Sequence, residues 1–177
     1  MFLLLAGLLT AGCSWTLPIP PYVAQNPVQV NGSTAIGEFI YQPYLDGKVQ
    51  SPTQINSDGA SGYADMEIAE IVKRATAQEL EKSGIILSDN ANYRLSGNVM
   101  EFSIDYIGWV VTWSYSVKYI IEERLSRQIV FEKVFTPTRI KTSKFSFFDH
   151  RYLFNKLIAQ GYLMFIETPG VKELLKP

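Results

Sequence analysis

The sequence predicts an α+β domain of order β-α-β-β-β-α, with two helices packed on one face of an antiparallel sheet. Three observations carry this. Apolar residues recur at helical spacing in two segments, one stopping at Gly84 and one at Pro169-Gly170. Two-residue alternation runs from Val111 to Ile121, broken only at Ile120, the signature of a strand with one covered face. The polar turn Arg124 to Arg127 then joins that strand to another, which makes a hairpin. With 177 residues, 47% of them apolar and 19% charged, the chain can bury one core and is too apolar for disorder.

The elements follow in order. Thr34 to Tyr41, TAIGEFIY, is a strand that ends near Pro43. The polar stretch Gln42 to Gly62 reads as a long surface loop. A helix capped by Asp65 or Ser61 runs to about Lys82, with Ile68, Ile71, Val72, Ala75 and Leu80 on one face. Tyr93 to Tyr106 is a second strand, apolar at odd positions (Tyr93, Leu95, Val99) and then at even ones (Met100, Phe102, Ile104, Tyr106). A strand changes face only through an extra residue or a twist, so a bulge is expected between Gly97 and Met100. The third strand places Val111, Trp113, Tyr115, Val117, Tyr119 and Ile121 against the core, with Thr112, Ser114, Ser116 and Lys118 on the wet face. In the fourth, Gln128 to about Lys141, Pro137 lacks a ladder donor and must lie at an edge or a bulge. The last helix starts after Asp149 and buries Leu153, Leu157, Ile158, Tyr162 and Phe165, and a short turn, Val171 to Leu175, closes the domain.

Ahead of this domain the chain has a different character. Met1 to Gly12, MFLLLAGLLTAG, is almost wholly apolar, and Cys13 follows at once. Twelve residues at about 1.5 Å each cannot cross a hydrocarbon core of about 30 Å. Their length matches the apolar region of a signal peptide ending in small residues, although no Lys or Arg precedes Lys48. Leu9-Thr10-Ala11-Gly12-Cys13 resembles the lipobox of bacterial lipoproteins. That resemblance implies cleavage before Cys13 and lipidation of its thiol. Ser14 after the cysteine implies, by the same resemblance, sorting to the periplasmic face of the outer membrane. The alternative is a core helix in which Cys13 is a small apolar filler.

Ser14 to Ser33 contains Pro18, Pro20, Pro21 and Pro27 and no charged side chain. Proline fixes φ and removes a donor, so an extended tether is expected, reaching roughly 60 Å at about 3.1 Å per residue. Trp15, Leu17, Ile19 and Tyr22 instead allow it to lie on a lipid interface or along the domain. The expected organisation is thus signal peptide 1–12, lipidated cysteine and tether 13–33, and one domain from 34 to 177. This layout, with the helix end Ala77-Gln78-Glu79-Leu80-Glu81-Lys82-Ser83-Gly84 and the strand Tyr93-Arg94-Leu95-Ser96-Gly97, resembles YajG-like uncharacterised lipoproteins. More distantly it is similar to auxiliary lipoproteins of the PqiC and LptE type. The resemblance covers roughly residues 34 to 167.

Composition narrows the chemistry. A net charge of -1 argues against a nucleic-acid partner, and one Cys with one His cannot build a Cys/His zinc cluster or a disulfide framework, so no cofactor is expected. Asp46, Asp58 and Asp65 lack the spacing of a calcium loop. Any histidine base would be His150, beside Asp149, where capping or packing explains it, and Glu122-Glu123 fit a solvated turn. Charge is segregated: residues 38–105 hold eleven acids and five bases, residues 124–156 two acids and eight bases. Arg124, Arg127, Lys133, Arg139, Lys141, Lys144 and Arg151 are therefore candidates for a positive patch facing an envelope protein or an anionic glycolipid, unless neighbouring acids neutralise them. Phe145, Phe147, Phe148, Tyr152 and Phe154 form either core or an exposed contact. The expected role is a non-enzymatic, lipid-anchored binding protein of the cell envelope. The rival is a lipid or glycolipid carrier, which needs an apolar cavity of at least about 300 Å³; a hydrolase would have to use Asp149, His150 and a nearby hydroxyl.

Overall fold

The computed structural model describes residues 14–25, 28–57, 61–143 and 152–176. Two sheets and four helices follow in the order β1 (Ser14–Leu17), β2 (Gly32–Tyr41), α1 (Gln42–Leu45), β3 (Gln54–Ile55), β4 (Ser61–Ala64), α2 (Ile68–Lys82), β5 (Ile85–Leu87), β6 (Tyr93–Ile107), β7 (Val110–Glu123), β8 (Ile129–Phe135), β9 (Ile140–Ser143), α3 (Leu153–Ile166) and α4 (Val171–Leu175). The α+β class stands, but the sheet is mixed. The main sheet runs β5-β2-β6-β7-β8, with β9 also on β7. β2 lies parallel to both β5 and β6, while β6, β7, β8 and β9 pair antiparallel. The departure from an all-antiparallel sheet has a topological cause. α2 carries the chain back along the sheet, so the strand that follows it can only re-enter parallel to β2.

The bulge falls where the alternation changes phase. Val99 pairs with Val117 and Glu101 with Ser116, leaving Met100 as the extra residue. Leu95, Val99, Phe102 and Ile104 thereby share the buried face with Tyr115, Val117, Tyr119 and Ile121 of β7. Gly97 lies opposite Tyr119 because the Phe39 ring crosses it; a Cβ there would come within 2.5 Å of that ring. Pro137 sits in the gap between β8 and β9. These are two halves of one edge strand, both on the side of β7 away from β6. On the opposite face Thr112, Ser114 and Ser116 are buried where solvent was expected, and Ser116 Oγ lies 2.9 Å from Thr136 Oγ1.

Helix α2 stops where the sequence places its end: Ser83 is the C-cap and Gly84 follows at φ +83, a conformation costly for a side chain bearing Cβ. Its start differs. Glu67 is the N-cap without a side-chain hydrogen bond, and Ile68 N–H donates to the Pro52 carbonyl at 3.0 Å. Asp65 is engaged elsewhere, accepting from Ile19 N–H at 3.3 Å. α3 begins at Leu153 with Tyr152 as N-cap; Asp149 lies outside the described residues.

The stretch expected to be a long loop holds α1, β3 and β4, and the stretch expected to be a tether begins with β1. β1 pairs parallel with β4, and β4 pairs antiparallel with β3. A parallel bridge from Asn56 to Ser103 joins this small sheet to the free upper edge of β6. Between sheet and helices, Phe154 stacks on Phe102 with centroids 3.7 Å apart and meets the Trp113 ring edge-on at 5.1 Å. Lower down, Tyr119, Phe135, Phe131 and Tyr162 surround Phe165.

Candidate functional site

The proline-bearing segment behind Cys13 is built into the domain. Trp15 lies over Gly62, where a Cβ would come within 2.4 Å of its ring, so only glycine fits beneath it. Ile19 and Tyr22 are buried, and the Pro20 carbonyl accepts from Asn155 Nδ2 at 3.1 Å. Four positions after Ala75 on the apolar stripe of α2 stands Glu79, fully buried. Its carboxylate accepts from the Tyr22 hydroxyl and, at 3.0 Å, from Gln25 N–H. Beyond it Val30 N–H donates to the Ser83 carbonyl at 2.7 Å. Residues 14–25 and 28–31 therefore form a strap down α2, fastened at Asp65, Glu79 and Ser83. A buried carboxylate is tolerated because donors from the strap replace its water. A free 60 Å spacer is excluded for these residues; they lie along the domain.

Burial raises the hydroxyl pKa of Tyr22, with the adjacent Glu79 pushing in the same direction, and burial likewise raises those of Tyr41, Tyr115, Tyr119 and Tyr162. In the unfolded chain these groups lose their protons near pH ~10. The folded state holds them longer, so above that pH the unfolded chain binds fewer protons and stability falls as pH rises. Alkaline titration followed by tyrosinate absorbance and circular dichroism is expected to show these tyrosines ionising together with loss of the fold. Smooth ionisation with the fold intact would contradict their burial.

Among the described residues the basic candidates are spread along the sheet. Arg124 Nη1 donates to the Ala91 carbonyl at 3.0 Å and pins the β7–β8 turn to the start of β6. Arg127 pairs with Glu122 at 3.0 Å and Arg139 with Glu101 at 3.4 Å. Lys133 lies over the Phe135 ring, 5.4 Å from its centroid. Lys141, exposed on β9, has no ion pair among the described residues and stands opposite Thr112. Ten β7 positions separate the row of Arg127's partner from that of Lys141, roughly 33 Å at about 3.3 Å per residue. Lys144 and Arg151, with Phe145, Phe147, Phe148 and His150, lie outside the described residues.

Other acids have ordinary partners. Glu123 accepts from Ser126 Oγ, and Asp46 binds Gln42 and Lys48, which together lower its pKa. Among the described residues no three His, Cys, Asp or Glu side chains gather as a metal site would require, and no helix is long and apolar enough to cross a membrane. A cleft of about 310 Å³ opens between strap and helices, lined by Ile19, Pro20, Tyr22, Asp65, Arg74 and Asn155 among others. Its mixed polar lining differs from the apolar cavity a carrier needs.

Sequence reasoning missed one surface. At the β6–β7 hairpin tip, Ile107 and Trp109 are 75% and 70% exposed, flanked by the exposed Tyr106 and Val110, with Gly108 turning the chain at φ +58. The signal was present: Tyr-Ile-Gly-Trp-Val fills a turn with apolar residues where polar ones are usual.

No protein-family model matches the chain, and no curated protein matches its sequence. Solved structures match in fold. Protein XCC0632 from Xanthomonas campestris, of family model DUF330, superposes with a TM-score of 0.66 at 15% identity, over 85% of this chain and 92% of that one. The PelC dodecamer from Paraburkholderia phytofirmans gives 0.44 at 13% identity, over 79% and 93%. Lipoprotein GNA1162 from Neisseria meningitidis gives 0.35 at 9%, over 76% and 97%. The first likeness shows a shared fold; the other two are too loose to bear on function.

Proposed function

We propose that this chain is a lipid-anchored, non-enzymatic protein of the bacterial cell envelope, held through Cys13 at the periplasmic face of the outer membrane, whose domain binds a partner protein or an anionic envelope component there. The strap carries the reading. The residue after the lipobox cysteine is the first of a strand, and the chain is then fastened to buried Glu79. An acyl group on Cys13 would thus seat the domain directly at the bilayer surface. Anchoring raises the effective concentration of the domain near membrane partners without any new contact. Several acyl chains, at about 0.8 kcal/mol per buried methylene, make that anchor effectively permanent.

A glycolipid carrier is the second reading. The stacked rings of Phe102 and Phe154, with Trp113 edge-on beside them and the rings around Phe165, fill the space such a protein would keep open, which favours the binding role. Of the described basic candidates, Arg124, Lys133 and Lys141 have no acidic partner among the described residues; Arg124 is engaged by the Ala91 carbonyl, so Lys133 and Lys141 narrow the contact to the β8–β9 edge. The test is metabolic labelling with a clickable fatty acid. Wild type is expected to label and Cys13→Ser to lose the label entirely, whereas equal labelling of both would place any lipid elsewhere.

A further inference from the structure

We infer that the β6–β7 hairpin tip is a second membrane contact, an apolar cap of Tyr106, Ile107, Trp109 and Val110 that enters the lipid interface beside acylated Cys13. The inference rests on the anchored reading above and names the surface by which the domain meets the bilayer.

Pairing fixes the geometry. Ser14 pairs with Ser61, Ile55 with Gly62, Asn56 with Ser103, and Ser103 with Ser114, so Ser14, Ser61, Asn56, Ser103 and Ser114 lie in one row across five strands. β1 runs antiparallel to β6, so the chain preceding Ser14 leaves toward the same end of the sheet as residues 104–109. Cys13 is bonded to Ser14, within about 3.8 Å between Cα atoms. Three strand spacings of about 4.8 Å separate β1 from β6, so attachment point and tip stand roughly 15 Å apart sideways on one end of the domain.

The depth of the cap also fits. Tyr106 faces Val111 and Ile107 faces Val110, with Gly108 and Trp109 closing the turn, and none of these is charged. Among the described residues charge resumes one row below, where Asp105 pairs with Thr112 and Thr112 with Lys141. Two rows and a turn make an apolar cap roughly 7–10 Å deep, the depth to which apolar faces enter the headgroup and acyl boundary. Trp and Tyr favour that boundary, and Lys141, which has no ion pair among the described residues, sits at its outer level, where it meets anionic headgroups.

The test uses the acylated protein in vesicles of phosphatidylethanolamine and phosphatidylglycerol, with and without a lipid brominated near the headgroup end of its acyl chains. Of the three tryptophans, Trp113 is buried in the core, so quenching reports Trp109 and the half-buried Trp15. Brominated lipid is expected to quench the wild type, and Trp109→Phe to lose most of that quench with its circular dichroism unchanged. Quenching that survives Trp109→Phe, or none in a protein still held on vesicles, overturns the tip contact and leaves the anchor standing. Unquenched Trp109 together with a disulfide between two copies of Ile107→Cys would make the tip a protein interface and overturn it too. A protein without acyl mass that does not bind vesicles overturns both readings.

Discussion

Glu79→Ala is expected to lower the unfolding free energy by about 3 kcal/mol and to release the strap from α2. The variant leaves the Tyr22 hydroxyl and Gln25 N–H without their acceptor in a buried setting, and each unsatisfied group costs about 1–3 kcal/mol. Some of that is recovered when the strap peels away and water reaches them. Release is therefore the expected structural response, with the core remaining folded. Urea denaturation gives the energy, and hydrogen exchange or limited proteolysis across residues 15–25 gives the release. Glu79→Gln keeps an acceptor at the same place and is expected to lose about half as much, since bonds to a charged group are roughly twice as strong as neutral ones. An unchanged midpoint, with the strap still protected in Glu79→Ala, would show that Trp15, Ile19 and Tyr22 hold it by packing alone.

Phe154→Ala is expected to cost more, about 3–5 kcal/mol, because an aromatic removed from a close-packed core leaves a cavity that its neighbours fill only in part. Phe154 is fully buried in the first turn of α3, stacked on Phe102 and edge-on to Trp113. Its loss unpins the start of that helix from the bulged half of β6. Against a total stability of about 5–15 kcal/mol, the variant stands at the margin of folding. Phe154→Leu restores much of the volume and is expected to recover over half of the loss. Chemical denaturation with near-ultraviolet circular dichroism, which reports the Trp113 environment, decides the matter; a Phe154→Ala midpoint near wild type would contradict the packing.

Local signals in the sequence proved the most legible. The phase change in Tyr93 to Tyr106 located the bulge at Met100, Gly84 located the end of α2, and Pro137 marked an edge position, where the fourth strand expected unbroken divides into β8 and β9. Each depends on covalent geometry or a two-residue period, which neighbours in sequence determine. β1, β3 and β4 were illegible because they are only two to four residues long, and β1 pairs with β4 and Asn56 bridges to Ser103 across distant parts of the chain. Parallel pairing of β2 with β5 and β6 was equally hidden, since it depends on where α2 returns the chain. Glu79 could have been noticed: Ile68, Val72, Ala75 and Glu79 share one helical face, and a carboxylate on an apolar stripe requires a buried partner. The basic residues were legible as a cluster in sequence, while those among the described residues are spread out in space. A strand roughly 45 Å long spreads its neighbours far apart, and Glu122 and Glu101 neutralise Arg127 and Arg139 one at a time.

The strap, the hairpin tip and the proposed role at the membrane all depend on what is attached to Cys13. Intact-mass spectrometry of the protein extracted from native membranes tests this most directly. The account predicts a chain beginning at Cys13, heavier than its residues by a thioether-linked diacylglycerol and an amide-linked acyl group. A chain that still carries residues 1–12, with an unmodified thiol and no acyl mass, would contradict it.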